Sequence, residues 1–422
     1  MSRRAISVIL GPRIHLHPGT HGELVETPPS GVTYYSADHR HRFLFPHGSS
    51  VPLDPYRDYA VSQTVEFVLP PDRQLIVHST RLPVFNRVPW LVDADCLLST
   101  INHGTPYALG SGGRAPANQA LVRQRQRLML SHYLSGHCCG LLFWTDYARR
   151  RFRSFVEDRR LLSARDRARL AAKSDVLRPT MSWRGSADQR TSRPTILYMA
   201  RCPQSKGGHV AVEVFRRIHA RYGNRVGLVY VGQLPEDDHA LPAGITYHPL
   251  LDRPAYLKIL SRAHIFLSPT QYESYGFGLV EAASYGLAIV TRRGPGMEHI
   301  EELFQDGKNA LLVSAQKTPV DTVNAYEQKA RSLLDGERQV AVLRANNLEL
   351  FRTGALSLEA HNRKLLGYYR RMLKQPFPGK CGDVPARSAM LARKHKLESC
   401  AMSDDECLRR QAEIGFTRRI LV

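Results

Sequence analysis

Cysteine is scarce and unpatterned in this 422-residue chain. Seven occur, at positions 96, 138, 139, 202, 381, 400 and 407, an odd number with no Cys-x-x-Cys pair. That argues against a disulfide framework or a zinc ribbon and fits a reducing compartment. Long apolar runs are also missing. Nothing approaches the ~20 residues of a membrane-spanning helix, and the run from Ala5 to Leu10 is too short for the core of a signal peptide. The expectation is a cytoplasmic protein, at most peripheral on the inner face of a membrane. Acidic residues are few beside basic ones. The balance is 38 against 59, a net charge of +21, so the surface attracts anions such as nucleic acid, acidic lipid head groups or phosphorylated substrates. Histidines include two His-x-His pairs, His15/His17 and His39/His41, but no further ligands stand at helpful spacing. No metal is expected.

What is present fills two domains. The length exceeds one ordinary domain, and a hydrophobic share of 43% supplies a core for each. In the first half, strand-like runs stand at 5–10, 75–79, 90–94 and 139–144, with helical stretches at about 116–134 and up to about 173. Residues 12–60, rich in His, Pro, Gly and Tyr, form loops and short strands without a clear order. The polar stretch 183–193 reads as a linker between a domain over 1–182 and a second over 194–356. The second half alternates more regularly. Strands at 195–200, 226–232, 245–250, 264–269 and 287–291 interleave with helices at about 208–222, 255–262 and 278–285. This rhythm calls for an α/β fold with a parallel, doubly wound sheet. Helices fill about 320–374, the last of them (357–374) returning towards the first domain, and a tail of uncertain order covers 375–422.

The informative stretch is 264–291. A strand leads into the loop QYESYGFG and then the helix LVEAASYG. In a doubly wound sheet, ligands bind beyond the carboxyl ends of the strands, where this loop lies. Gly276 and Gly278 allow close approach of a ligand. The N–H groups of residues 277–280, including Phe277 and Leu279, open a helix and so favour an anion. Glu273 precedes the turn and Glu281 sits one helical turn beyond it. Arg201 and Lys206 follow the strand at 195–200, again at a carboxyl end, and supply a planar fork and a point charge for phosphate. Two cations, a helix N-terminus and two acceptor carboxylates suit a nucleotide-diphosphate sugar: carboxylates for its hydroxyls, cations for its phosphates.

Arg201-x4-Lys206-Gly207, the Glu273-x7-Glu281 block, the acidic turn at Glu298 and DGKNALLV at 306–313 occur in one order across about 190–315. Together they resemble the retaining GT-B glycosyltransferases of glycosyltransferase family 4. The resemblance implies two facing Rossmann-like domains with the nucleotide-sugar donor in the C-terminal one. It implies a hexosyltransferase of glycan biosynthesis working with retention and without a metal. By position, Glu273 meets donor-sugar hydroxyls, Gly276 to Gly278 meet sugar and phosphate, Arg201 and Lys206 neutralise the leaving diphosphate, and Glu281 holds the ribose. No cofactor beyond the donor substrate is implied, and the acceptor is a carbohydrate or a lipid-linked group. The first half matches weakly. Asp93, Asp95 and His103 near PWLVDAD (89–95) are candidates for the acceptor or sugar side; the family's glycine-rich acceptor loop is not recognisable, and PGTHGE (18–23) is a poor stand-in for it.

Other readings stay open. GSGG (110–113) reads as a flexible loop rather than a phosphate cradle. The stretch 149–173 carries nine arginines and Lys173; it is either a solvated helix face or a contact for anionic membrane. A non-catalytic nucleotide-sugar sensor would keep the donor site without turnover. A phosphorylase or epimerase of the same fold is a further alternative. A basic nucleic-acid-binding protein fits the net charge, although no zinc spacing, aromatic-basic RNA signature or reader helix supports it, and nucleic acid is not the expected partner.

Overall fold

The computed structural model describes residues 5–12, 16–17, 19–43, 63–69, 75–95, 119–158, 160–185, 192–235, 241–249, 251–375 and 391–392. His15, His103, GSGG and most of the tail lie outside the described residues. The chain forms two compact units. Of the described residues, those up to 179 and those over 359–392 belong to the first, and those over 180–358 to the second.

In the first unit, β1 (Ile6–Gly11), α1 (His21–Glu26), β2 (Val32–Ser36), β3 (His39–Phe43), β4 (Gln63–Phe67), β5 (Ile76–Thr80) and β6 (Trp90–Ala94) come first. Then follow α2 (Gln119–Leu134), β7 (Cys138–Phe143), α3 (Asp146–Asp158), α4 (Ala164–Lys173) and β8 (Ser174–Val176). Six strands pair in parallel in the order β2-β1-β5-β6-β7-β8. Alternation along the strands splits the core in two. Ile9, Val77, Val92, Leu141 and Phe143 face one way, with Leu130, Tyr133, Phe152 and Leu170 of the flanking helices. Val8, Leu10, Ile76, Leu91 and Leu142 face the other way, with Leu24 of α1. The β3–β4 hairpin stands apart as a two-stranded antiparallel sheet. That hairpin, with α1 and β2, orders much of the stretch that the sequence left as irregular.

The second unit continues with β9 (Thr195–Ala200), α5 (Pro203–Lys206), α6 (Gly208–Tyr222), β10 (Gly227–Gly232), β11 (Ile245–His248), α7 (Arg253–Arg262) and β12 (Ile265–Ser268). It ends with α8 (Phe277–Ser284), β13 (Ala288–Arg292), β14 (Leu311–Val313), α9 (Pro319–Leu334) and α10 (Glu337–Arg352). All six strands are parallel, in the order β11-β10-β9-β12-β13-β14. Counted within the unit this is 3-2-1-4-5-6, the doubly wound order of Rossmann-type sheets. Both units are therefore Rossmann-like α/β domains. The expected helices over about 320–374 are three: α9, α10 and α11 (Leu358–Met372), which returns to the first unit. There Leu365, Tyr368, Tyr369 and Met372 pack on the Val8–Leu10 face of the sheet. The two-residue strand β15 (Leu391–Ala392) joins the β2 edge antiparallel.

The strand order of the second unit reverses between β9 and β12, and the loops leaving these strands meet there. Gly207 adopts φ 70°, which links α5 to α6 and carries the backbone against the next loop. A Cβ at this position would lie 2.2 Å from the Pro269 carbonyl oxygen. Gly207→Ala is therefore expected to destabilise the protein by more than the ~1–2 kcal/mol that left-handed backbone alone costs a residue with a Cβ, read as a lowered urea midpoint. A variant as stable as the wild type would contradict this close approach.

Candidate functional site

At the β9/β12 switch, Arg201 is exposed directly after β9, and Lys206 closes the short helix α5. Four contacts join this loop to the one after β12. Gly207 lies against Pro269, and Gln271 N donates to the Ser205 carbonyl at 3.0 Å. Lys206 Nζ donates to the Tyr272 carbonyl at 2.7 Å and to Glu273 Oε1 at 2.7 Å. Thr270 Oγ1 reaches the same carboxylate oxygen at 3.3 Å and also donates to the Tyr272 carbonyl. Lys206 and Glu273 are 67 residues apart in sequence, and the parallel sheet makes them an ion pair. Both side chains remain partly open, at 29% and 21% exposure, so a ligand can reach either.

Gly276 caps α8 in left-handed backbone at φ 86°. Its carbonyl accepts from Leu279 N at 2.9 Å and Val280 N at 3.1 Å. An anion at this helix start therefore meets fewer N–H groups than the four that the sequence suggested. The Leu279 side chain is buried, while Phe277 and Gly278 are half-buried at the helix entrance. On the next turn Glu281 is 7% exposed, and Arg253 Nη2 donates to its Oε1 at 2.7 Å. Loop 293–299 packs close by. A Cβ on Gly296 would lie 2.9 Å from the Gln271 carbonyl oxygen, and His299 is buried near Glu273 and Lys206. Burial lowers the His299 pKa, with the Glu273 charge opposing. Glu298, the acidic turn of the sequence pattern, is exposed.

In the first unit the candidates lie differently. Asp93, near the end of β6, is 6% exposed and stands between two imidazoles. His21 Nε2 lies 3.2 Å from its Oδ2, and His78 Nε2 lies 2.9 Å from its Oδ1. His21 Nδ1 accepts from His17 N at 2.7 Å, so the ring proton of the neutral form sits on Nε2, facing the carboxylate. His78 Nδ1 lies 2.6 Å from the Tyr369 hydroxyl, which lies 3.0 Å from that of Tyr34. A buried chain of polar groups thus runs from α1 through β6, β5 and α11 to β2. Burial alone would push the Asp93 carboxyl up; the charges and hydrogen bonds of the two imidazoles outweigh it and hold the group well below the usual carboxylate range. Burial lowers the His21 pKa, although Asp93 opposes this. Asp95 is 3% exposed and pairs with Arg81, Nη2 to Oδ2 at 3.1 Å.

The structure thus brings Lys206, Glu273 and Gly276 together, places Arg201 at the same strand ends, and sets Glu281 one turn into α8. It separates off Asp93 and Asp95 as buried, paired groups. Sequence reasoning did not single out Arg253, Thr270, His21, His78, Tyr34 or Tyr369. The cap at Asp252 before Arg253-Pro254 was the one local signal among them. Among the described residues, no group of three or more His, Cys, Asp or Glu is arranged to hold a metal.

The comparisons with known proteins bear on the second unit most directly. Residues 193–335 match the family model Glycosyl transferases group 1. That group 1 region contains every switch-point residue described above. One subunit of the phosphatidylinositol N-acetylglucosaminyltransferase of Arabidopsis thaliana is 30% identical over 148 residues, 33% of this chain and 31% of that protein. The aligned part is thus about a third of that relative's length. The sucrose-phosphate synthase structure from Thermosynechococcus elongatus is similar with TM-score 0.54 and 13% identity, over 87% of this chain and 99% of that one. The pneumococcal O-GlcNAc transferase GtfA, solved with UDP and GlcNAc, gives TM-score 0.51 and 12% identity, over 79% and 65%. At such identities these two likenesses show the fold.

A pH test follows from the buried histidine. His21 has its pKa lowered in the fold, so its neutral form contributes stability above the unfolded value of about 6.5, and this is lost as pH falls below that value. Between pH 7 and 5 the unfolding free energy of His21→Gln should fall less steeply than that of the wild type, by up to about 1.4 kcal/mol per pH unit. Parallel slopes in urea titrations would show that His21 titrates normally when folded.

Proposed function

We propose that this chain is a glycosyltransferase that moves a sugar from a nucleoside diphosphate donor to an acceptor hydroxyl, with retention and without a metal. The observation that carries the reading is the Lys206–Glu273 pair, 2.7 Å apart beside the Gly276 helix start, at the point where the strand order reverses. Without ligand the two charges balance each other. When donor is bound, Lys206 and Arg201 face the diphosphate, and Glu273 accepts from sugar hydroxyls. Glu281 receives the ribose hydroxyls from its place on the next turn of α8. As the anomeric C–O bond to the diphosphate breaks, cations and helix start stabilise the departing charge. The acceptor oxygen forms the new bond, and its proton passes to a leaving phosphate oxygen. Asp93 and Asp95 are given no role as base, because both are buried and committed to His21, His78 and Arg81.

The acceptor side of the proposal is a carbohydrate or a lipid-linked group, in keeping with the name of the phosphatidylinositol-directed relative. Among the described residues no helix is long and apolar enough to cross a membrane. Contact with an anionic membrane would be peripheral, through α3 and α4. Between these helices lies a groove floored by Phe152, Val156 and Leu170 and edged by Arg153 and Arg167, and Arg151, Arg160 and Arg165 are exposed nearby. Binding to vesicles containing phosphatidylserine should weaken as salt rises and should drop when Arg151, Arg153 and Arg165 are changed to Gln. Tight oligonucleotide binding with a steep salt dependence would favour a nucleic-acid partner instead.

The primary test is thermal stabilisation by UDP, GDP, ADP, TDP and their sugars, with and without EDTA. One base type should raise the midpoint regardless of EDTA. Glu273→Ala should abolish transfer with the fold intact, while Glu281→Ala should mainly weaken nucleotide binding. Full turnover in Glu273→Ala would refute the site assignment. Binding without turnover in the wild type would make the chain a nucleotide-sugar sensor.

A further inference from the structure

Glu281 is a carboxylate inside a helix that is otherwise apolar or small after its first turn, and its side chain is 9% exposed. Such a group needs a partner. The hydrogen-bonding partner, Arg253, comes from a different element. Asp252 caps α7, its Oδ1 accepting from Ala255 N at 2.9 Å, and this fixes the first turn of that helix. Two side chains of the turn then face Glu281. Arg253 Nη2 donates to Oε1 at 2.7 Å, and its own side chain is 30% exposed. Tyr256, three residues on and so on the same helical face, is buried with its phenol beside the same carboxylate. Burial, reinforced by the Glu281 charge, pushes that phenol well up.

The transfer chemistry proposed above gives Arg253 no task. The pairing nevertheless divides the carboxylate. Oε1 is taken by a guanidinium, and a carboxylate has acceptor capacity on both oxygens. We infer that Arg253 is a positioning residue for the ribose end of the nucleotide site. It holds Glu281 in one rotamer so that the second oxygen accepts from vicinal ribose hydroxyls. This rests on the reading of Glu281 as the ribose contact. A carboxylate already held in place loses little side-chain freedom when a ligand arrives. The planar guanidinium suits this task better than a flexible ammonium.

The test is equilibrium binding of UDP, GDP and ADP, and of the 2′,3′-dideoxy form of each, to wild type, Arg253→Ala and Arg253→Lys. The wild type should bind at least one of the three diphosphates, and its dideoxy form about tenfold more weakly. Arg253→Ala should bind that ribonucleotide about tenfold more weakly than wild type, with affinity for the dideoxy form unchanged, so the discrimination collapses. Arg253→Lys should recover part of it. Unchanged dideoxy binding also certifies that the variant is folded. An equal loss on both ligands would overturn the inference, since Arg253 would then act on phosphate, base or fold. No loss in Arg253→Ala, or a wild type indifferent to the hydroxyls, would overturn it too. A wild type that binds none of the three diphosphates would instead remove the nucleotide-site reading, and this inference with it.

Discussion

Lys206 Nζ and Glu273 Oε1 stand 2.7 Å apart where the strand order of the second unit reverses. A partly open ion pair of this kind contributes little to stability, about 0–1 kcal/mol, so its weight lies in what it requires of the chain around it. The β9 and β12 loops must approach until only a glycine fits at position 207. The short helix α5 must end at Lys206, and the turn at Gly276 must start α8 immediately beyond Glu273. Each condition is met by backbone that the sheet places, and the pair is the chemical result.

The two carboxylates of the Glu-x7-Glu block have been given different surroundings. Glu273 shares Lys206 and Thr270 and stays partly open. Glu281 is enclosed and held by Arg253 from α7. A partly open carboxylate suits a group that, in the proposed reaction, exchanges partners when the donor binds. A fixed one suits recognition of a constant part of the ligand. The seven intervening residues achieve this with one turn and one helical turn, because Gly276 absorbs the change of direction in left-handed backbone.

In the first unit the polar investment is internal. Asp93 anchors a chain of hydrogen bonds and ion-pair contacts that includes Tyr369 of α11, a helix far along the chain that returns to this unit. Low surrounding dielectric makes such a network costly if left incomplete, and each member here has a partner. The consequence is that the helix returning from the second unit is seated by specific groups as well as by Leu365 and Met372.

Much of this was legible in the amino-acid sequence. The alternation of apolar runs located nearly every strand of the second unit, and α6 fell where its period put it, over Gly208–Tyr222. Lys206, Glu273, Gly276 and Glu281 were marked by their spacing after strands, which is local information. Residues 19–43 were not legible, because short strands and a six-residue helix carry little periodic signal. The identity of partners was not legible either. From sequence Asp93 is a candidate for the acceptor or sugar side with no partner named; the fold commits it to His21 and His78. Arg253 drew no attention in the sequence; the fold turns it onto Glu281. The sequence by itself determined the elements, their order and the residue types at the strand ends, since these depend on neighbours within one or two turns. Only the tertiary structure decided which charges pair and which carboxylate stays open, because those outcomes depend on the register of strands and helices far apart in the chain.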